Sequence, residues 1–137
     1  MHYWLLKSEP DCFSYDDLVK KGREHWDGVR NFAARNNLKA MEVGDLGFFY
    51  HSVNEKAIVG ILEVASTAYP DPTTDDPTWV CVDVIPKKKL KRPVNLKEIK
   101  ENPALKDMWV VRQGRLSVTP VTEAEFNEIL KMSESKQ

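Results

Sequence analysis

What this sequence lacks narrows its function first. Its two cysteines, Cys12 and Cys81, stand far apart and form no CxxC pair, so zinc and dithiol redox chemistry have no support. There is no GxGxxG, no P-loop, no HExxH and no GxSxG, which leaves dinucleotide, nucleoside triphosphate, zinc protease and serine hydrolase chemistries without a motif. The three histidines, His2, His25 and His51, are scattered. No apolar run is long enough to span a membrane, and the stretch from Met1 to Lys7 is too short for a secretory signal. The expectation is a cytoplasmic, reduced protein with no membrane partner, no metal and no cofactor. Charge of one sign is missing as well: 20 basic against 21 acidic residues give a formal charge of −1. That excludes a general polyelectrolyte binder, so any contact with nucleic acid must be local.

What is present suffices for one core. The chain has 137 residues, 42% of them hydrophobic, with four Trp, and is expected to form a single monomeric domain over residues 1–132 with a frayed tail over 133–137. Tyr3 to Leu6 reads as a buried strand that delivers Lys7-Ser8-Glu9-Pro10 to its end. Ser14 with Asp17 forms a capping box for a short helix that Gly22 ends. From Gly28 to about Met41 the residues Val29, Phe32, Ala33 and Ala40 predict the apolar face of a helix, with Asn36 in its middle bonded to buried backbone. Val43-Gly44-Asp45 is a turn before a strand from Leu46 to Tyr50. Ala57 to Ala68 predicts a long strand with a bulge or close approach at Gly60, and Trp79 to Ile85 another. Pro70 to Pro77 is a loop. Asn95 with Glu98 and Thr122 with Glu125 cap two later helices, Leu96 to Glu101 and about Glu123 to Met132. Trp109-Val110-Val111 and Leu116-Ser117-Val118 predict a hairpin around Gln113-Gly114. Short helices among several strands imply a mixed α/β fold.

The chemistry gathers in a few stretches. Trp26-Asp27-Gly28-Val29-Arg30-Asn31 sets a flat ring, a carboxylate and a glycine side by side, a combination suited to stacking on a planar ring and bonding its edge. The plainer alternative is a helix cap at Asp27 beside a core Trp. Phe49-Tyr50-His51-Ser52 ends a strand, where adjacent side chains diverge; His51 therefore reads as a polar pocket wall rather than half of a Ser–His pair. Trp4, Phe48, Phe49 and Trp109 are expected in the core, while Trp79 fits either core or surface. The basic run Lys87-Lys88-Lys89-Leu90-Lys91-Arg92 fits a phosphate site and a charge-protected edge strand equally.

These stretches, with Lys7-Ser8-Glu9-Pro10, Ala34-Arg35-Asn36, Val43-Gly44-Asp45 and Arg115-Leu116-Ser117-Val118-Thr119-Pro120, occur in an order and spacing that resemble the EVE domain family from Tyr3 to about Leu130. The resemblance implies a PUA-like pseudo-barrel, related to the YTH domain: a central curved, mainly antiparallel sheet flanked by short helices, with a pocket for a modified base in DNA or RNA. The base pocket it implies comprises Ser8, Trp26, Asp27, Gly28, Val29, Asn31, Tyr50, His51, Ser52, Leu116 and Ser117. Phosphate contacts are expected from Lys7, Arg30, Arg35, Arg112 and Arg115. EVE domains commonly carry a longer insertion between Pro70 and Trp79, including a tyrosine-rich stretch that is missing here, so no role of that insertion is carried over. Two other functions fit the same residues: a hydrolase of modified nucleosides working through Lys7, Glu9 and Asp27, and a domain binding a small molecule or peptide.

Overall fold

The computed structural model describes residues 1–53 and 55–134. Its frame is a six-stranded sheet that curls into a half-barrel. The strands are β1 (Tyr3–Ser8), β2 (Glu24–His25), β3 (Leu46–His51), β4 (Ala57–Val64), β7 (Asp83–Asn95) and β8 (Val118–Val121), in the order β2-β7-β4-β3-β1-β8. Only β1 and β3 run parallel. A separate small pair joins β5 (Tyr69–Pro70) to β6 (Val80–Cys81). The helices are α1 (Tyr15–Lys21), α2 (Phe32–Ala40), α3 (Leu96–Glu101), α4 (Trp109–Arg112) and α5 (Glu123–Glu134), with a 3-10 turn at Pro103–Leu105. No described helix is long and apolar enough to cross a membrane.

Both faces of the sheet are covered, which explains why its central strands are nearly continuous apolar runs. Trp4, Leu6 and Phe49 point to one side and pack with Leu18 of α1 and Ala34 and Leu38 of α2. Leu5, Phe48 and Tyr50 point to the other, against Ile99, Leu105, Val110, Phe126 and Ile129. Gly60 is required by a close approach. A Cβ there would lie 2.5 Å from Tyr15 Cε1, and Tyr15 Oη donates to the Ile61 carbonyl at 2.9 Å. The ladder shifts register between Ile58 and Gly60, so the expected bulge is present.

Local signals set the helix ends. Ser14 with Asp17, Asn95 with Glu98, and Thr122 with Glu125 each form the reciprocal pair of bonds of a capping box, and Gly22 closes α1 at φ 77°.

Longer-range expectations fail in identifiable ways. The segment from Gly28 is not helical until Phe32. With Asn31 as the cap, the buried face becomes Ala34, Leu38 and Met41, leaving Phe32, Ala33 and Ala40 exposed. Asn36 is exposed and accepts from Arg35, while its neighbour Asn37 donates to the Val118 carbonyl at 2.7 Å. No hairpin forms around Gln113-Gly114: Trp109-Val110-Val111 belongs to α4, where Met108 and Val110 fill the core and Trp109 is 44% exposed. Three adjacent apolar residues cannot distinguish strand from helix by period. The strand from Ala57 ends at Val64, and the segment from Trp79 divides into β6 and β7, the latter absorbing the whole basic run. The last helix reaches Glu134 with Ser133 buried, so the tail does not begin at 133, and residues 135–137 lie outside the described residues.

Candidate nucleic-acid interface

A cavity of about 290 Å³ opens at the C-terminal end of β1. Lys7 and Ser8 form one wall, Cys12 and Phe13 the loop beyond, and Glu24, His25, Trp26 and Asp27 the opposite side. Aromatic rings pack edge-on beneath it: Trp26 meets Phe49 at 5.3 Å and Phe13 at 6.4 Å between centroids, both nearly perpendicular. Only 7% of Trp26 is exposed. It is thus a core residue that lends part of its surface to the cavity, rather than a free-standing wall, and its backbone N–H donates to the Val82 carbonyl at 2.7 Å.

The polar groups around the rings are held in place. Ser8 Oγ donates to the Phe13 carbonyl at 2.5 Å, and Lys7 Nζ donates to the Gly114 carbonyl at 2.6 Å while lying 5.7 Å from the Tyr50 ring centre. Burial pushes the Lys7 ammonium below its ordinary pKa. His25 sits between two carboxylates, with Nε2 2.8 Å from Asp27 Oδ2 and Nδ1 3.3 Å from Glu24 Oε1. Among the described residues no group of three or more His, Cys, Asp or Glu side chains is placed to hold a metal ion.

Buried Asp71 organises the chain leading out of the cavity. Its Oδ2 accepts from the Gly28 N–H at 2.9 Å and from Arg30 Nη1 at 3.1 Å, and its Oδ1 from the Thr73 N–H and hydroxyl at 2.7 and 2.6 Å. Burial raises the Asp71 pKa, but these donors outweigh it and hold the carboxyl at about 2. Gly28 supplies the left-handed φ of 77° that aims its N–H at Asp71.

Four of the expected residues, Lys7, Ser8, Trp26 and Asp27, therefore meet in one cavity. Others approach through backbone only: the Ser52 N–H donates to the Ser8 carbonyl, and the Lys7 N–H to the Ser117 carbonyl. The remaining expectations are corrected by the packing. Val29 is buried and Leu116 packs against the same core cluster. Asn31 caps α2 by accepting from the Ala34 N–H, so the cap falls there and not at Asp27. Tyr50 is buried on the far face of the sheet. His51 faces away: Nε2 accepts from the Tyr15 N–H at 3.1 Å and Nδ1 lies 2.6 Å from Glu55 Oε1.

The phosphate candidates separate likewise. Arg30 is bound to Asp71 and Thr73, and Arg112 to Asp107, whereas Arg35 meets Asn36 Oδ1 and the Thr78 carbonyl, and Arg115 is exposed beside Gly114. Four carboxylates offset most of the charge of the five cations along β7. Lys87 meets Glu63, Lys88 and Lys91 meet Glu134, Lys89 meets Asp16, and Arg92 meets Glu98 at 2.6 Å. Past its two-residue pairing with β2 the strand has a free edge, and these ion pairs leave the run little charge to offer a phosphate.

Sequence reasoning missed His25, Glu24, Phe13 and Asp71. Glu24 and His25 stood directly before Trp26 and carried a usable signal, whereas Asp71 is placed by a contact 43 residues distant in sequence.

A half-barrel sheet with helices on both faces and an aromatic-floored cavity at the end of β1 defines a PUA-like domain, and the chain belongs to the EVE domain family, whose model matches residues 2–132. Among its relatives, mouse thymocyte nuclear protein 1 is 37% identical over 98% of this chain and 75% of its own length. A crystal structure of an Agrobacterium tumefaciens protein superposes with a TM-score of 0.96 at 47% identity, covering 98% of this chain and 94% of that one. Human THYN1 protein, crystallised in complex with DNA containing 5-methylcytosine, superposes with a TM-score of 0.93 at 34% identity over all of both chains.

Proposed function

We propose that this protein binds DNA without acting on it, taking one 5-methylcytosine into the cavity lined by Lys7, Ser8, Phe13, Trp26 and Asp27. The observation that carries this is a carboxylate acceptor beside a cavity floored by aromatic rings. Aspartate accepts from the cytosine N4 amino group, and the Asp27 carboxylate keeps acceptor capacity beyond its contact with His25. The methyl group gains about 0.8 kcal/mol from burial against Trp26 and Phe13. A base reaches such a cavity only by leaving its stack, as bases recognised singly do. That human THYN1 protein, of the same family and overlapping this chain over all of the crystallised chain, was crystallised with 5-methylcytosine DNA supports the same ligand here.

The geometry favours binding over hydrolysis. Glu9 is exposed, faces Cys12 Sγ at 3.6 Å and does not line the cavity, so it is not assembled with Lys7 and Asp27 as the hydrolase alternative requires. The same Glu9 contact raises the Cys12 pKa, which disfavours the thiolate. Titration with matched methylated and plain oligonucleotides tests the proposal, with Asp27→Asn as the control for edge recognition. Product formation from a modified nucleoside would overturn it.

A further inference from the structure

Beyond the cavity lies an aromatic surface that the core does not need. Phe32, the first residue of α2, is 61% exposed, while the helix buries Ala34 and Leu38 instead. Its ring lies 5.2 Å from that of half-buried Trp79, tilted by 32°. Guanidiniums cover both ends of the pair, Arg30 at 5.7 Å from the Trp79 centroid and Arg35 at 5.1 Å from the Phe32 centroid. Arginine alternating with aromatic faces is the arrangement on which single-stranded nucleic acid stacks.

The two cations differ. Arg30 is committed to Asp71 and Thr73, and Asp76 feels its charge. The other contacts of the Arg35 guanidinium are neutral: Asn36 Oδ1, the Thr78 carbonyl and the Phe32 ring. Uncompensated positive charge therefore sits at the Phe32 end, and a phosphate is excluded from the Asp76 end.

We infer that the Phe32 end of this pair stacks the base next to the one in the cavity, the Arg35 guanidinium moving off the Phe32 face onto the connecting phosphate. This rests on the cavity taking an extruded base. The two sites are rigidly joined: Asp27 lines the cavity, Arg30 lies three residues on, at most about 10 Å of chain, and Asp71 pins both Gly28 and Arg30 between them. The short loop from Pro70 to Trp79 supplies both Asp71 and Trp79, so it builds the platform and its link to the cavity.

The test is titration of the unaltered protein, Phe32→Ala, Phe32→Trp and Arg35→Gln with three probes. These are a short single-stranded DNA with one 5-methylcytosine, the same DNA with plain cytosine, and 5-methyl-2′-deoxycytidine monophosphate. Phe32→Ala is expected to weaken both DNAs by roughly 5- to 150-fold, the range for one lost stacking contact, leaving their ratio and the mononucleotide unchanged. Phe32→Trp should restore affinity, and Arg35→Gln should reduce the salt slope by about one. Unchanged DNA affinity in Phe32→Ala, or an equal loss on the mononucleotide, would overturn the platform. So would self-association of the unaltered protein that Phe32→Ala abolishes, since the surface would then serve a second copy. Equal binding of methylated and plain DNA would overturn the cavity reading alone, with the Phe32→Ala loss still deciding the platform. No binding of either DNA would overturn both.

Discussion

The Lys87–Arg92 run and the Lys7–Asp27 cavity both concentrate charge, and they use it oppositely. Along β7 the five cations share four carboxylates on α1, β4, α3 and α5, and the strand presents a largely offset charge. At the cavity, Asp27 is held by a histidine that fixes its position without using all its bonding capacity. The residual, oriented bonding capacity of the sparser cluster is what suits it to a ligand; charge density by itself marks only a solvated face.

Changes on the cavity side should therefore be costly, and changes on the edge small. The largest expected effect is Trp26→Ala, which removes a ring packed against Phe49 and Phe13 and should cost about 3–5 kcal/mol in denaturant unfolding. Trp109→Ala, at a residue 44% exposed, should cost far less.

Asp71 comes next. Its folded pKa of about 2 lies below the roughly 3.9 of an unfolded aspartate, so its contribution is complete above about pH 4 and is lost as pH falls through 2. That contribution is about 2 kcal/mol. Asp71→Asn should be less stable at neutral pH and should show a flatter acid limb when unfolding is followed between pH 5 and 2. An acid limb identical to that of the unaltered protein would remove Asp71 from the link between cavity and platform.

The smallest effect belongs to the edge. Lys88→Gln with Lys89→Gln should change stability by less than about 1 kcal/mol and leave the salt dependence of DNA binding unaltered, because both ion pairs are exposed. A fall in the salt slope would return the run to the phosphate track.

The same contrast shows how far the sequence could be read. Capping boxes and Gly22 were legible because a cap is settled within four residues. Gly60 was legible as a close approach, though not that Tyr15 was what approached. The face of α2 was not legible. Asp71 holds Gly28 and Arg30 outside the helix, and the delayed start rotates Phe32 out of the core. Trp109, expected in the core, is exposed because three adjacent apolar residues do not show which turn faces the sheet, and Trp26 follows the core alternative while still lining the cavity. Of the cavity, Lys7, Ser8, Trp26 and Asp27 were found; Phe13 was missed because only the fold brings it there, whereas His25, next to Trp26, was legible and passed over.

The most direct measurement is the ratio of dissociation constants for matched DNAs carrying 5-methylcytosine or cytosine, taken at two salt concentrations. Methyl burial of about 0.8 kcal/mol, or about twice that in an otherwise unfilled hollow, predicts a preference from a few-fold to a few tens-fold. The ratio should hold as salt rises while total affinity falls with a shallow slope, on the order of two to four phosphates. A ratio of one at both salt concentrations would contradict the modified-base pocket.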